Sequence, residues 1–222
     1  MPVVGLTGGI ATGKSTVASA FRAQGAVVLS ADDAARAVTA PGGPALPAVV
    51  GRFGTAVLHP DGSLDRAALG ARVFADSEER RALEEITHPH ILRLLHDQID
   101  AALREQPDAV VVVETPLLYE AGMRPWFDMV VVVAASEETQ IARLCVCRGM
   151  TRDGALARIR AQMPLADKIA DADYTLWNDG DAEAIEPRVG EALRMLTARV
   201  AERGPRSRRG KKGACTITGR VL

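Results

Sequence analysis

The octapeptide Gly8-Gly9-Ile10-Ala11-Thr12-Gly13-Lys14-Ser15 fills the spacing G-x-x-x-x-G-K-[ST] completely. Glycines there let the backbone turn so that successive N–H groups point inward at a polyphosphate, and a helix starting near Lys14 adds its positive end. Lys14 then reaches the β- and γ-phosphates, and the Ser15 hydroxyl ligates Mg²⁺. Gly8, Gly9, Ala11, Thr12, Gly13, Lys14, Ser15 and Thr16 are therefore the residues expected to hold ATP. A glycine-rich turn that merely joins two elements is the competing reading. The context disfavours it: residues 2–6 form an apolar run suited to a buried strand, and 14–24 carry Val17, Ala18 and Phe21 at helical spacing. The loop does not say what is transferred, since kinases, switches and motors share it.

Other residues supply the remaining chemistry of phosphoryl transfer. A second apolar run, 26–29, leads into Ser30-Ala31-Asp32-Asp33, and ligands of open parallel sheets bind beyond the carboxyl ends of the strands. Asp32 can orient an attacking hydroxyl and accept its proton late, as a loose transition state allows. Capping the next helix competes with that role; with two adjacent acids, Asp33 is expected to be the cap and Asp32 the base. Glu114, at the end of a third apolar run, either holds Mg²⁺ through water or is a solvated strand end. Arg143, Arg148 and Arg152 either neutralise charge on the transferring group, from a segment that closes over it, or line a solvated helix face. Arg148 shares a helical face with Ile141, Leu144 and Cys145, which predicts that it points inward. His88, before Pro89, is a cap, a structural hydrogen-bonder or a substrate contact.

These residues need a scaffold. Val-rich runs at 108–114 and 128–134 are the continuous apolar strands of a sheet covered on both faces, and 173–177 reads as a last edge strand. Helical patterns cover 33–40, 46–53, 66–74, 78–86, 89–104, 136–148, 151–162 and 183–202. Pro89 suits a first helical position, Ser136 an N-cap, and Pro60-Asp61-Gly62 a turn. Alternating strands and helices predict an α/β fold with a parallel, doubly wound sheet. The helical block at 45–108, lying between strands of one sheet, reads as an insertion that holds a second substrate.

Composition narrows the class. With 47% apolar and 25% charged residues, 222 residues fit one α/β domain with insertions. An aromatic content of 4% gives no base-stacking surface, so no nucleic-acid partner is expected. Cys145, Cys147 and Cys215 form no C-x-x-C pair, and no leader or bilayer-length apolar run is visible, so the expectation is a cytoplasmic protein without a membrane partner. Seven of the 27 basic residues fall in 203–222 with no acid among them; the other 20 face all 28 acids, so the body, residues 1–202, carries −8. That basic tail is expected to be a disordered terminus.

Several segments run in one order across residues 3–180. They are Gly5-Leu6-Thr7-Gly8-Gly9-Ile10 through Thr16, Ala31-Asp32 with Arg36, Leu64-Asp65-Arg66 with Leu69 and Phe74, and Leu83-Glu84 with Ile86-Thr87-His88-Pro89. Pro116-Leu117-Leu118 with Glu120, Gln140 with Arg143 and Arg148, Gln162-Met163, and Ala172-Asp173 with Asn178 and Gly180 follow. In this combination the chain resembles the dephospho-CoA kinase family of P-loop small-molecule kinases. The resemblance implies a three-layer P-loop kinase fold over 1–202, with a CoA-substrate insertion at about 36–108 and a lid at about 136–165. It implies transfer of the ATP γ-phosphoryl group to the 3′-hydroxyl of dephospho-CoA, with Asp32 as the catalytic Asp and Lys14, Arg143 and Arg148 assisting. Asp32, Arg66, His88, Pro116 and Leu117 would meet the acceptor, and Asn178 and Gly180 the adenine. The family pattern carries Asp where Ser30 stands, and often Gly where Ala11 stands. A kinase of a nucleoside or nucleoside monophosphate, or a non-enzymatic nucleotide switch, is the alternative; the guanine-reading Asn-Lys-x-Asp of switch GTPases does not occur.

Overall fold

Strands buried on both faces need no alternation of polar and apolar residues, and the Val-rich runs behave accordingly. The computed structural model describes residues 2–180 and 184–203. Its strands are β1 (Val3–Gly8), β2 (Val27–Ser30), β3 (Val111–Glu114), β4 (Met129–Ala134) and β5 (Tyr174–Trp177). They form one parallel sheet in the order β2-β3-β1-β4-β5. Leu6 pairs with Glu114 and Gly8 with Val133, so β1, β3 and β4 end along one edge. The chain moves to one side of β1 for β2 and β3, and to the other for β4 and β5. The loop after β1 thus sits at the switch point, where such sheets bind ligands.

The chain divides into two compact units: residues up to Leu29 with those from Ala102 onward, and Ser30–Ala101. In the first, helices α1 (Lys14–Ala23) and α9 (Ile185–Arg203) cover one sheet face. Val17 and Phe21 of α1 and Val189 and Leu196 of α9 are fully buried against Val4, Leu6, Val131 and Val133. On the other face Gly5 permits a close approach: a Cβ there would lie 2.5 Å from Leu118 Cδ1 and 2.7 Å from Phe127 Cδ2. Helices α6 (Glu137–Arg148), α7 (Arg152–Arg160) and α8 (Leu165–Ala170) follow β4 in sequence. Ser136 caps α6 as expected, accepting the Thr139 N–H at 3.2 Å.

The second unit contains α2 (Ala31–Val38), α3 (Leu46–Phe53), α4 (Arg66–Ala75) and most of α5 (Ser77–Glu105). Its core is Val49, Phe53, Val57, Leu64 and Leu69. Asp65 caps α4 by accepting the Ala67 and Ala68 N–H groups at 3.0 and 2.9 Å. The expected turn at Pro60-Asp61-Gly62 is closed by the Leu58–Leu64 bridge.

Four expectations change. The helices predicted at 78–86 and 89–104 are one helix with Pro89 inside it. A proline there removes the bond to the Glu85 carbonyl at a cost of about 3 kcal/mol, which flanks rich in Glu, Arg, Leu and Ala outweigh. Asp33 is not the cap of α2. That helix begins two residues earlier than predicted, so Ser30, still extended, accepts the Asp33 N–H at 3.1 Å. Arg148 does not point inward but is exposed. Gly149 ends α6 in a left-handed conformation, and Met150, not Arg148, packs on Ile141 and Leu144. Finally α8 was not foreseen, because its six residues are too short to display a period. Glu183 and the basic tail beyond Arg203 lie outside the described residues.

Candidate active site

The phosphate loop spans from β1 to the first turn of α1, whose N-cap is Gly13 with no side-chain cap. That helix end is therefore not closed by a protein carboxylate or hydroxyl, which suits an anion. Four loop carbonyls are taken by side-chain donors. Lys14 Nζ donates to Gly9 O at 2.7 Å and Gly8 O at 3.2 Å, Arg143 Nη1 to Ala11 O at 3.3 Å, and Asn178 Nδ2 to Thr12 O at 2.8 Å. A trans peptide points its N–H opposite its C=O. Holding the Ala11 and Thr12 carbonyls to Arg143 and Asn178 therefore turns the N–H groups of Thr12 and Gly13 the other way, toward the phosphate side.

The backbone at the tip is strained. Ala11 has φ 58°, the sole positive φ at a non-glycine residue among those described. Gly13 has φ 87°, and a Cβ on it would lie 2.2 Å from Asn178 Nδ2. Gly13→Ala is expected to cost about 2–5 kcal/mol, combining left-handed strain with loss of the Asn178–Thr12 bond. Asn178→Ala in the same chain should relieve the clash, so the two changes should be less than additive by about 1 kcal/mol or more. Denaturant melts of both singles and the double measure this, and simple additivity would refute the contact.

Side chains from the far end of the chain brace the loop further. Arg143 Nη2 donates to Asn178 O at 2.9 Å, so the α6 arginine and the residue after β5 support each other. Ile10 N–H donates to Gln162 Oε1 at 2.7 Å, and Ile10 and Ala11 pack on the α6–α7 cluster of Ile141, Leu144 and Ala155. Asp179 accepts the Ser136 N–H at 2.7 Å, which holds its carboxyl below the ordinary value of 3.8. Gly13, Thr16, Arg143, Asn178, Gly180 and Ile185 line a hollow beside the start of α1. Asn178 is buried within it, and Gly180 is exposed at its edge.

Ser15 Oγ donates to Glu114 Oε1 at 3.3 Å. A hydroxyl and a carboxylate are hard oxygen donors of the kind Mg²⁺ takes. Among the described residues no cluster of three or more His, Cys, Asp or Glu could hold a metal. A cation here would thus rely on one or two protein oxygens plus phosphate and water, the usual arrangement for Mg²⁺.

The structure thus gathers Gly8 to Thr16, Arg143, Asn178, Gly180 and Glu114 in the first unit. Pro116 joins them through Thr7 Oγ1, which donates to its carbonyl at 3.3 Å; Leu117 beside it is exposed and Leu118 buried. Asp32, Arg66 and His88 belong to the second unit. There Asp32 is exposed in the first turn of α2, Arg66 Nη2 donates to Thr39 Oγ1 at 2.9 Å, and His88 is half-buried on α5. Arg152 pairs in a bidentate manner with exposed Glu138, whose carboxyl it holds below the usual range, and Arg148 faces solvent. Sequence reasoning assigned no role to Gln162 or Lys168. The first had a signal, since Gln162-Met163 is among the family segments; Lys168 reads as an ordinary surface lysine.

Comparison with known proteins identifies the family and the fold. The family model described as dephospho-CoA kinase matches residues 2–184. The dephospho-CoA kinase of Anaeromyxobacter dehalogenans is 49% identical over 206 residues, 93% of this chain and 96% of that one. A crystal structure of a Thermus thermophilus protein superposes with TM-score 0.73 at 35% identity, covering 88% of this chain and 97% of that one. The dephospho-CoA kinase from Campylobacter jejuni shares the fold at TM-score 0.60 and 23% identity, covering 88% and 97%.

Proposed function

The chain belongs to the dephospho-CoA kinase family, and from that membership we infer that it is an ATP-dependent phosphotransferase whose acceptor is dephospho-CoA. In the reaction the 3′-hydroxyl oxygen of dephospho-CoA bonds to the γ-phosphorus, the bond from that phosphorus to the β–γ bridging oxygen breaks, and ADP leaves. The hydroxyl proton passes to the Asp32 carboxylate. The observation that carries the nucleotide half of this reading is the loop whose carbonyls are tied to Arg143 and Asn178, leaving N–H groups for phosphate.

The division of labour follows from the residues. Lys14 and the loop N–H groups bind the β- and γ-phosphates, and Thr16, Asn178 and Gly180 border the hollow for the nucleoside. Arg143 and Arg148, which match the family segments, are assigned to the charge developing on the transferring group; Arg143 now braces the loop from its carbonyl side and Arg148 faces solvent, so either would have to move to meet that charge. Ser15 and Glu114 would hold Mg²⁺, which neutralises the β- and γ-phosphate oxygens when bound. On the acceptor side Asp32, Arg66, His88, Pro116 and Leu117 are assigned from the family segments they match. Cytoplasmic placement is taken from the family, whose members act on soluble metabolites; among the described residues no helix is long and apolar enough to cross a membrane.

Purified protein with ATP and Mg²⁺ is expected to convert dephospho-CoA to CoA and to leave nucleosides, nucleoside monophosphates and shikimate unphosphorylated. Turnover of one of those in place of dephospho-CoA would overturn the acceptor. Glu114→Gln tests the metal half. It should raise the Mg²⁺ concentration for half-maximal turnover about 10-fold, the effect of losing a ligand-orienting carboxylate. An unchanged Mg²⁺ dependence would remove Glu114 from the site.

A further inference from the structure

Lys168 is fully buried, although it lies on the short helix α8 among residues that are mostly exposed. Its Nζ donates to Glu120 Oε1 at 2.8 Å and to Pro116 O at 3.3 Å. Thr7 Oγ1 donates to the same Pro116 carbonyl, also at 3.3 Å, so both acceptor directions of that oxygen are used. Tyr119 OH in turn donates to Lys168 O at 3.2 Å, and burial pushes the phenol up to about 12, which keeps it a donor.

Burying an ammonium costs several kcal/mol, and its pairing with a carboxylate seldom returns a net gain in stability. Such a group is better explained by what it holds in place. Pro116 lies two residues beyond Glu114, and the intervening Thr115 N–H donates to Leu6 O at 2.9 Å. Thr7, the other donor, immediately precedes Gly8 of the phosphate loop. The segment that leaves β3 after Glu114 is therefore held at two points, at the Thr115 N–H by β1 and at the Pro116 carbonyl by Thr7 and Lys168. The second hold limits how far the end of the strand carrying the Glu114 carboxylate, 3.3 Å from Ser15 Oγ, can shift.

We propose that Lys168 is a positioning residue for the Mg²⁺ site: by pinning the Pro116 carbonyl, with Glu120 as its counter-ion, it sets Glu114 against Ser15. The proposal rests on the Ser15–Glu114 metal reading and extends it to a lysine with no contact to the cation or nucleotide.

The test measures binding as well as turnover. Mn²⁺ serves as the probe, titrated by electron paramagnetic resonance into the full chain with a non-hydrolysable ATP analogue. Lys168→Met, Lys168→Met with Glu120→Gln, Thr7→Val and Glu114→Gln are compared with the parent chain. Metal affinity should fall about 10-fold in both Lys168→Met chains and about 3-fold in Thr7→Val, by analogy with other groups that orient a metal ligand. Binding of the analogue in EDTA should stay within about two-fold, because the loop contacts to phosphate are untouched. A lysine that only stabilises the fold would lower Tm and leave the Mn²⁺ titration unchanged. If Glu114→Gln weakens Mn²⁺ binding while Lys168→Met and Thr7→Val do not, this proposal fails and the metal site stands. If Glu114→Gln has no effect, the metal reading itself fails and takes the proposal with it. Should the lysine variants not fold, Thr7→Val, which leaves the ion pair in place, decides by the same titration.

Discussion

Asp32→Asn is expected to lower kcat by about 10²–10⁴-fold, the usual contribution of a positioned general base, with ATP binding within about two-fold of the parent. The substitution keeps size, but it replaces an anionic, acceptor-only carboxylate with a neutral amide that cannot take the proton and can accept the acceptor hydroxyl's hydrogen bond only through one oxygen. It also leaves the helix intact: Ser30 caps α2, so Asp32 is not required for that purpose. As an exposed residue in a helical first turn, it should change stability by no more than about 0.5 kcal/mol. Loss of turnover with an unchanged melt and unchanged ATP affinity is the signature of the base. Turnover near that of the parent would require another group to accept the proton.

Lys14→Met should lower kcat/KM by about 10²–10³-fold, as for removal of one preorganised electrostatic donor, and should weaken ATP binding as well. The second effect separates it from Asp32. Lys14 Nζ spans the loop between Gly8 O and Gly9 O, in reach of the phosphates that the loop would cradle. Arginine should not restore function, because a planar fork does not substitute for a compact ammonium in so tight a turn. Equilibrium ATP binding and steady-state kinetics on both variants measure this. Undiminished ATP affinity together with undiminished kcat/KM in Lys14→Met would dismiss the lysine from the site.

How far the structure could be read in advance differed by element, for identifiable reasons. β4 and α1 begin or end within a residue of expectation, because a Val run and a Val17–Phe21 period are properties of neighbouring residues. The join at residues 30–33 is not legible in the same way. Asp33 and Ser30 are both good caps by type, and only the path of the chain off β2 selects Ser30. Pro89 by itself suits the start of a helix, where proline costs least, but the flanking segments are strong enough to run through it. Arg148 had the right period to face inward, but Gly149 turns the chain and Met150 takes that place.

The phosphate loop was wholly present in the sequence, as were its flanking strand and helix and the ordered segments that mark the family. Each depends on residues close in the chain, whose conformations are dictated by sterics and local hydrogen bonding. What the tertiary structure alone decided is which distant side chains hold that loop in its working shape. Asn178 meets Thr12 across 166 residues and Arg143 meets Ala11 across 132, because β4 and β5 end beside β1 at one edge of the sheet. Among the three candidate arginines, sequence alone ranked Arg148 above its neighbours, whereas the one the structure brings against the loop is Arg143. Lys168 became visible only when its burial and its bond to Pro116 were seen, since a charge inside a protein is a property of its surroundings rather than of its spacing.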